Sequence, residues 1–213
     1  MQWNIFKNEY TDRLTPPLTQ KPMNLIHYNT QQKILEPSVI TVGSFDGVHL
    51  GHQSLFKKMN NYSKMNNYKS VVITFNPHPQ EVLQNKPDFF LINSFEQVLQ
   101  LFEKFGMDMT YVIPFSTAFS KKTATQFFEE DVFSKINVKA VFLGPNHHFG
   151  KQREGDADTL RQLCEKRNIE VVVAQKFKVE NVEVSSTIIR KYLKKNDFQN
   201  AEKLMGHNVY CSW

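Results

Sequence analysis

The sequence predicts an α/β fold with a doubly wound parallel sheet, and three observations lead there. Short runs rich in β-branched residues alternate along the chain with segments of helical apolar spacing, the pattern of strand, crossover helix and next parallel strand. Several strand runs end in loops rich in Gly, Pro, Asn or His, at the carboxyl ends where open α/β sheets bind ligands. With 213 residues, 40% hydrophobic and 13% aromatic, the chain can bury one domain-sized core.

Residues 1–37 are polar, carry Pro16, Pro17, Pro22 and Pro37, and read as an irregular lead-in without chemistry. The run Val39, Ile40, Thr41, Val42 is a buried strand that Gly43 breaks. Beyond the turn, Leu50, Leu55, Phe56 and Met59 fall at roughly helical spacing. A second strand spans 71–75 and runs into Asn76, Pro77, His78 and Pro79, a loop that two prolines stiffen. Ser94 to Gln97 is a capping box, and Phe95, Val98, Leu99, Phe102 and Phe105 share one helical face before Gly106. Strands follow at 111–113, 138–143 and 169–174. Between them lie a capped helix from Thr123, with Phe127, Phe128 and Val132 inward, and a helix that Gly155 and Asp156 open. Ser185 starts one more helix, and a last one over 197–205 stops at Gly206.

The charge is +5 with a pI near 9.1, which suits phosphate-bearing ligands and would also suit nucleic acid, but no dense basic run decides for a nucleic-acid partner and none is expected. Cys164 and Cys211 allow at most one bridge. No signal peptide and no apolar stretch of membrane-spanning length is visible, so the expected setting is a reducing cytoplasm with no membrane partner.

The chemistry concentrates in G-S-F-D-G-V-H-L-G-H, residues 43–52. Gly47 and Gly51 allow close backbone approach, and the unpaired N–H groups and dipole of a helix start favour phosphate. His49 and His52 can present two imidazoles to one phosphate. With 7 His and 8 Gly, an H-x-G-H would arise by chance about 0.009 times in such a chain. Zinc is a poor alternative because two histidines three apart lack a third nearby ligand. Adjacent His147 and His148 point apart on an extended segment, so no metal site is expected there either. At the helix start near 185, Ser185, Ser186 and Thr187 offer hydroxyls and Arg190 a fork of donors one turn on. A plain serine cap followed by a surface arginine is the bland alternative.

The signature at 43–52 resembles that of the FMN adenylyltransferase module of the prokaryotic bifunctional riboflavin kinase/FAD synthetase family, within the H-x-G-H nucleotidyltransferase superfamily. Four further stretches carry the resemblance: Phe75-Asn76-Pro77-His78-Pro79, Gly144 to Gly150 with Asn146 and Phe149, Gly155-Asp156, and Val184 to Arg190. His147 departs from the family's usual aromatic, and Glu183 stands where many relatives carry a basic or neutral residue. The resemblance implies a Rossmann-like fold of the nucleotidyltransferase type and transfer of AMP from ATP to FMN, giving FAD and pyrophosphate. His49 and His52 would bind the α-phosphate, and Ser186, Thr187 and Arg190 the leaving phosphates. Gly43, Phe45 and Gly47 would shape the adenosine side, with Asp46 and Ser185 among the binding residues. Phe75, Asn76, Pro77, His78, Pro79, Asn146 and Phe149 would line the flavin and nucleotide pocket. Mg²⁺ would arrive with ATP and need no dedicated protein ligands. The expected organisation is an extension over 1–23, the adenylyltransferase domain over 24–206 and a tail over 207–213, without the riboflavin kinase module. A catalytically impaired flavin or nucleotide binder, or another H-x-G-H enzyme such as a pantetheine-phosphate adenylyltransferase, stays open as an alternative.

Overall fold

A computed structural model of the chain describes residues 22–28, 32–84 and 88–209. The N-terminal extension up to residue 21, and Cys211 with the last residues of the tail, lie outside these. Six parallel strands form the central sheet: β1 (Asn24–His27), β2 (Ile34–Val42), β3 (Lys69–Phe75), β4 (Met109–Ile113), β5 (Ile136–Leu143) and β6 (Glu170–Val173), in the order β1-β4-β3-β2-β5-β6. Val39, Ile40, Val71, Val72, Ile73, Ala140 and Val141 are fully buried, which accounts for their continuous apolar runs. The strand order reverses at β2, which pairs with β3 on one side and β5 on the other. That reversal opens a crevice at the carboxyl ends of β2 and β5.

The irregular reading of 1–37 is corrected over its last third. Asn24–His27 pairs with Met109–Val112 as an edge strand in which only Ile26 is buried, so its sequence carries almost no apolar signal. Strand β2 begins at Ile34, and Pro37 falls where its register against β5 shifts between Ile34 and Ser38, a position that tolerates a residue without N–H.

The helices are α1 (Leu50–Asn66), α2 (Pro79–Leu83), α3 (Phe95–Lys104), α4 (Ala124–Gln126), α5 (Ala157–Glu165), α6 (Ser186–Leu193) and α7 (Phe198–Met205). Helix α4 runs directly into a π-helical stretch, Phe127–Phe133, and a small hairpin, β7 (Lys178–Val179) with β8 (Val182–Glu183), precedes α6. Two cores flank the sheet. Phe56, Met59, Val98 and Phe102 pack on one face, and Phe127, Phe128, Val132 and Leu160 on the other. A third cluster seats α6 and α7 against Leu50 at the start of α1.

The α1–α7 contact is tight and polar at its centre. The Gln53 amide donates to the carbonyls of Val48 at 2.8 Å and Met205 at 2.7 Å, tying the turn before α1 to the C-terminal helix. Gln53→Leu keeps the volume but removes both bonds, so it should destabilise the fold by about 2 kcal/mol. A lowered urea midpoint with unchanged slope would show it, and an unchanged midpoint would mean the clamp contributes nothing.

Candidate active site

The turn between β2 and α1 holds an unusual backbone. Phe45, Gly47 and Val48 all have positive φ, at 49°, 84° and 33°, although two of them carry Cβ atoms and valine is β-branched. Such a turn persists only where its surroundings over-determine it. Phe45 is buried against Phe56 and Phe102, and Val48 is fully buried. Asp46 supplies the decisive bonds: its carboxylate accepts from the N–H of Ile92 at 3.0 Å and of Asn93 at 3.2 Å and pairs with Arg190, while its carbonyl accepts from Ser186 Oγ at 2.7 Å. Burial pushes the Asp46 carboxyl above its usual range, against the pull of the Arg190 cation.

His49 is the N-cap of α1. Its Nδ1 accepts from the His52 N–H at 3.3 Å, which leaves the ring proton on Nε2. The two imidazoles stack with centroids 3.6 Å apart, and the edge of His52 meets Phe45 at 5.1 Å. A Cβ on Gly51 would stand 3.2 Å from the His49 ring, so glycine there leaves the imidazole its place. Burial lowers the His49 pKa to about 4 and that of His52 well below its usual value, so both rings are neutral at pH 7.

These elements border one cavity of about 830 Å³. One side consists of Gly43, Phe45, Asp46, His52, Ser186 and Arg190. Arg190 is firmly held: Nε donates to the Phe90 carbonyl at 2.7 Å, and the guanidinium sits 4.4 Å over the Phe89 ring. Phe89 in turn stacks on His78 at 4.8 Å. The opposite side is aromatic, with Phe75, Phe115, Phe119 and Phe127 in edge and tilted contacts at 5.7 to 6.2 Å. Pro79, Asn146, His147, Phe149, Lys121, Lys151 and Arg153 also border the space. Its walls therefore carry several cations, and the carboxylate among them, Asp46, is already paired.

Some expected residues stand elsewhere. His49 touches the cavity only through His52, because its own ring is engaged in capping. Gly47 packs on Ile92, Ser185 caps α6 by accepting from Ile188 N–H, and Thr187, Asn76 and Pro77 are exposed away from the cavity. His78, by contrast, borders the cavity as expected, and it also caps the short helix α2, where Pro79 occupies the first position. Glu183 does not face the Ser186 turn. It pairs with Lys176 at 3.0 Å and accepts from Asn146 Nδ2 at 3.3 Å, fastening the two loops together. His147 fills its place with a ring stacked 5.8 Å from Phe149, and its buried Nε2 has no partner among the described residues. Among those residues no group of three or more His, Cys, Asp or Glu is arranged for a metal. Phe115, Phe119, Lys121, Lys151 and Arg153 went unrecognised in the sequence. Their signal was position: the first two follow the carboxyl end of β4, and the last two follow the loop after β5. His207, the first residue of the expected tail, packs onto the domain, with its Nε2 3.0 Å from the Gly47 carbonyl.

A cavity at the reversal point of a parallel sheet, with paired histidines at a helix start on one side, defines an α/β protein of the nucleotidyltransferase type. Residues 31–188 match the family model described as FAD synthetase, and the chain belongs to that family. A bifunctional riboflavin kinase/FMN adenylyltransferase of Buchnera aphidicola is 32% identical over 82% of this chain and 56% of its own length, so the chain spans about half of that relative. A FAD synthetase of Listeria monocytogenes is 31% identical over 82% of this chain and 71% of its own. Among solved structures, one titled a macrolide-efflux protein from Streptococcus pneumoniae aligns at 28% identity with a TM-score of 0.77, covering 88% of this chain and 61% of that one. No helix among the described residues is long and apolar enough to cross a membrane.

Neutral histidines have a kinetic consequence. Because His49 loses its proton near pH 4 and His52 lower than usual, their hydrogen-bonding capacity does not change between pH 6.5 and 8. Turnover should hold level across that interval. A fall approaching ten-fold per pH unit above about 6.5 would show that a protonated imidazole is required. Separately, Asp46→Ala strands the Arg190 cation and two N–H groups, and should cost about 3 to 5 kcal/mol in chemical denaturation. A loss under about 1 kcal/mol would mean the junction is replaceable.

Proposed function

We propose that this chain is an FMN adenylyltransferase that joins FMN to the AMP portion of MgATP, releasing pyrophosphate and forming FAD. The observation that carries the reading is a cavity in which four clustered phenylalanines face residues of the Gly43–His52 turn, with cations on its margins. A phosphopantetheine acceptor would have no use for four clustered phenylalanines. The names of the FAD synthetase relatives support the same substrates.

The acceptor is already anionic at neutral pH, so the protein need not deprotonate it. A phosphate oxygen of FMN attacks the α-phosphorus, the α–β bridging bond breaks, and pyrophosphate leaves with that electron pair. The work left to the protein is alignment and stabilisation of charge. His52 is the imidazole at the cavity surface, and it donates to the α-phosphate, while His49 fixes its position by stacking and by capping α1. Arg190 and Ser186 face the outer phosphates, with Arg190 pre-oriented by Asp46 and Phe89. Magnesium belongs to the substrate in this scheme, since the Asp46 carboxylate is committed to Arg190 and the cavity offers no carboxylate cluster. A reducing cytoplasm fits a chain whose Cys164 is a buried free thiol.

Incubation with FMN and MgATP, followed by chromatography, should yield FAD and pyrophosphate in equal amounts. His52→Ala should lower kcat by about 10² while FMN binding is retained. Near-normal turnover in that variant would remove His52 from the mechanism, and absence of FAD with the unaltered protein would refute the activity. Arg190→Ala is a poorer probe because it also leaves Asp46 buried without its cation.

A further inference from the structure

On the far side of the aromatic wall lies a polar cluster that the reaction does not use. Asp131 sits in the π-helical stretch with its side chain 1% exposed, and three short bonds converge on it. The Tyr28 hydroxyl donates at 2.6 Å, and the Lys122 ammonium donates to both carboxylate oxygens at 2.7 Å. Lys122 also reaches Glu130 at 3.1 Å. Tyr28 comes from just beyond β1 and is steadied by Tyr111 of β4, with rings 6.2 Å apart. A carboxylate buried this deeply is costly unless every partner stays in place.

What the cluster anchors is the segment after β4 that carries Phe115 and Phe119. The backbone bonds described for residues 116–122 close within the segment, except that the Lys151 N–H donates to the Lys122 carbonyl at 2.8 Å. Little else in the backbone fixes where this segment stands against the sheet. Lys122 ends its 3₁₀ turn (Phe119–Lys121), borders the cavity, and places its ammonium 5.6 Å over the Phe119 ring. The π-helical stretch that holds Asp131 also supplies Phe127 to the same wall. Wider, i to i+5 turns of this kind cluster at functional sites, where they re-aim side chains.

We propose that Asp131, acting through Lys122, is a positioning residue that holds the Phe115–Phe119 segment against Phe75 and Phe127 and thereby sets the affinity for the flavin ring. It rests on the FMN reading above. The bonds that hold the nucleotide side, from Asp46 to Ile92, Asn93 and Arg190, are a separate set from those of this cluster, so the KM for ATP should move far less than the FMN affinity.

The test is titration of FMN by quenching of its fluorescence, with KM values for FMN and for ATP, on the full chain. Asp131→Asn keeps an acceptor for Tyr28 and loses the ion pair. The double variant K122M/D131N removes both charges, and remains informative if the single one misfolds. Both should weaken FMN binding about ten-fold or more and leave the KM for ATP within about two-fold. Lys122→Arg, which keeps a cation able to engage both oxygens, should recover most of the FMN affinity. Unchanged FMN affinity in the folded variants, or equal weakening of both substrates, would overturn the proposal while leaving the activity standing. Failure of the unaltered chain to bind FMN would instead overturn the FMN reading, and this proposal with it.

Discussion

The side of the cavity that carries His52, Ser186 and Arg190 depends on one buried ion pair, Asp46 with Arg190. Three separate pieces of chain meet at this pair: the strained turn after β2, the loop around Ile92 and the first turns of α6. Such a pair is a weak source of net stability, because taking both charges from water costs about as much as their attraction returns. Its consequence is arrangement. It acts with the burial of Phe45 and Val48 to hold their positive φ, and with the Phe90 carbonyl and the Phe89 ring to orient the arginine fork. The same residue thus shapes the backbone against which a nucleotide would lie and aims the cation that would meet its phosphates.

The opposite wall is organised on a different principle. Four phenylalanines offer a broad apolar face to a ring, and their placement follows from loops at the ends of β3 and β4 together with the helix after Thr123. Lys151, Arg153 and Lys121 stand where these loops open toward water. In the proposed reaction, two walls built from different elements would hold two substrates independently and bring them end to end. Close alignment of an anionic acceptor with an α-phosphorus lowers the entropic part of the barrier, and the neutral, pre-oriented imidazoles need no reorganisation as charge shifts.

The sheet was legible wherever its strands are buried on both faces. Val71 to Phe75, Tyr111 to Ile113 and Val138 to Leu143 announce themselves as apolar runs. The edge strand at Asn24–His27 was not legible, because a strand with one buried side chain has no period to detect. The beginning of β2 was hidden by Pro37, which sits at a register shift that only the neighbouring strand defines. In the site, the histidines and the serine-rich helix start were readable from their spacing. The Asp46–Arg190 pair was not, since its members lie 144 residues apart. Phe127 read as core because a residue that lines a cavity and one that fills an interior have the same apolar signature. The bonds that Asp131 makes from the π-helical stretch to Tyr28 and Lys122 join distant parts of the chain, which no local pattern encodes.

The central claim is a single in-line displacement at the α-phosphorus, with no adenylylated protein on the way. His49 caps a helix with one nitrogen and the Ser186 hydroxyl donates to the Asp46 carbonyl, so His52, at the cavity surface beside the proposed α-phosphate position, is the first candidate for a covalent intermediate. The direct measurement is the stereochemical course with ATP made chiral at the α-phosphorus by sulfur substitution. One displacement predicts FAD thio-analogue of inverted configuration. Retention would mean two displacements through a covalent intermediate, and would contradict the account.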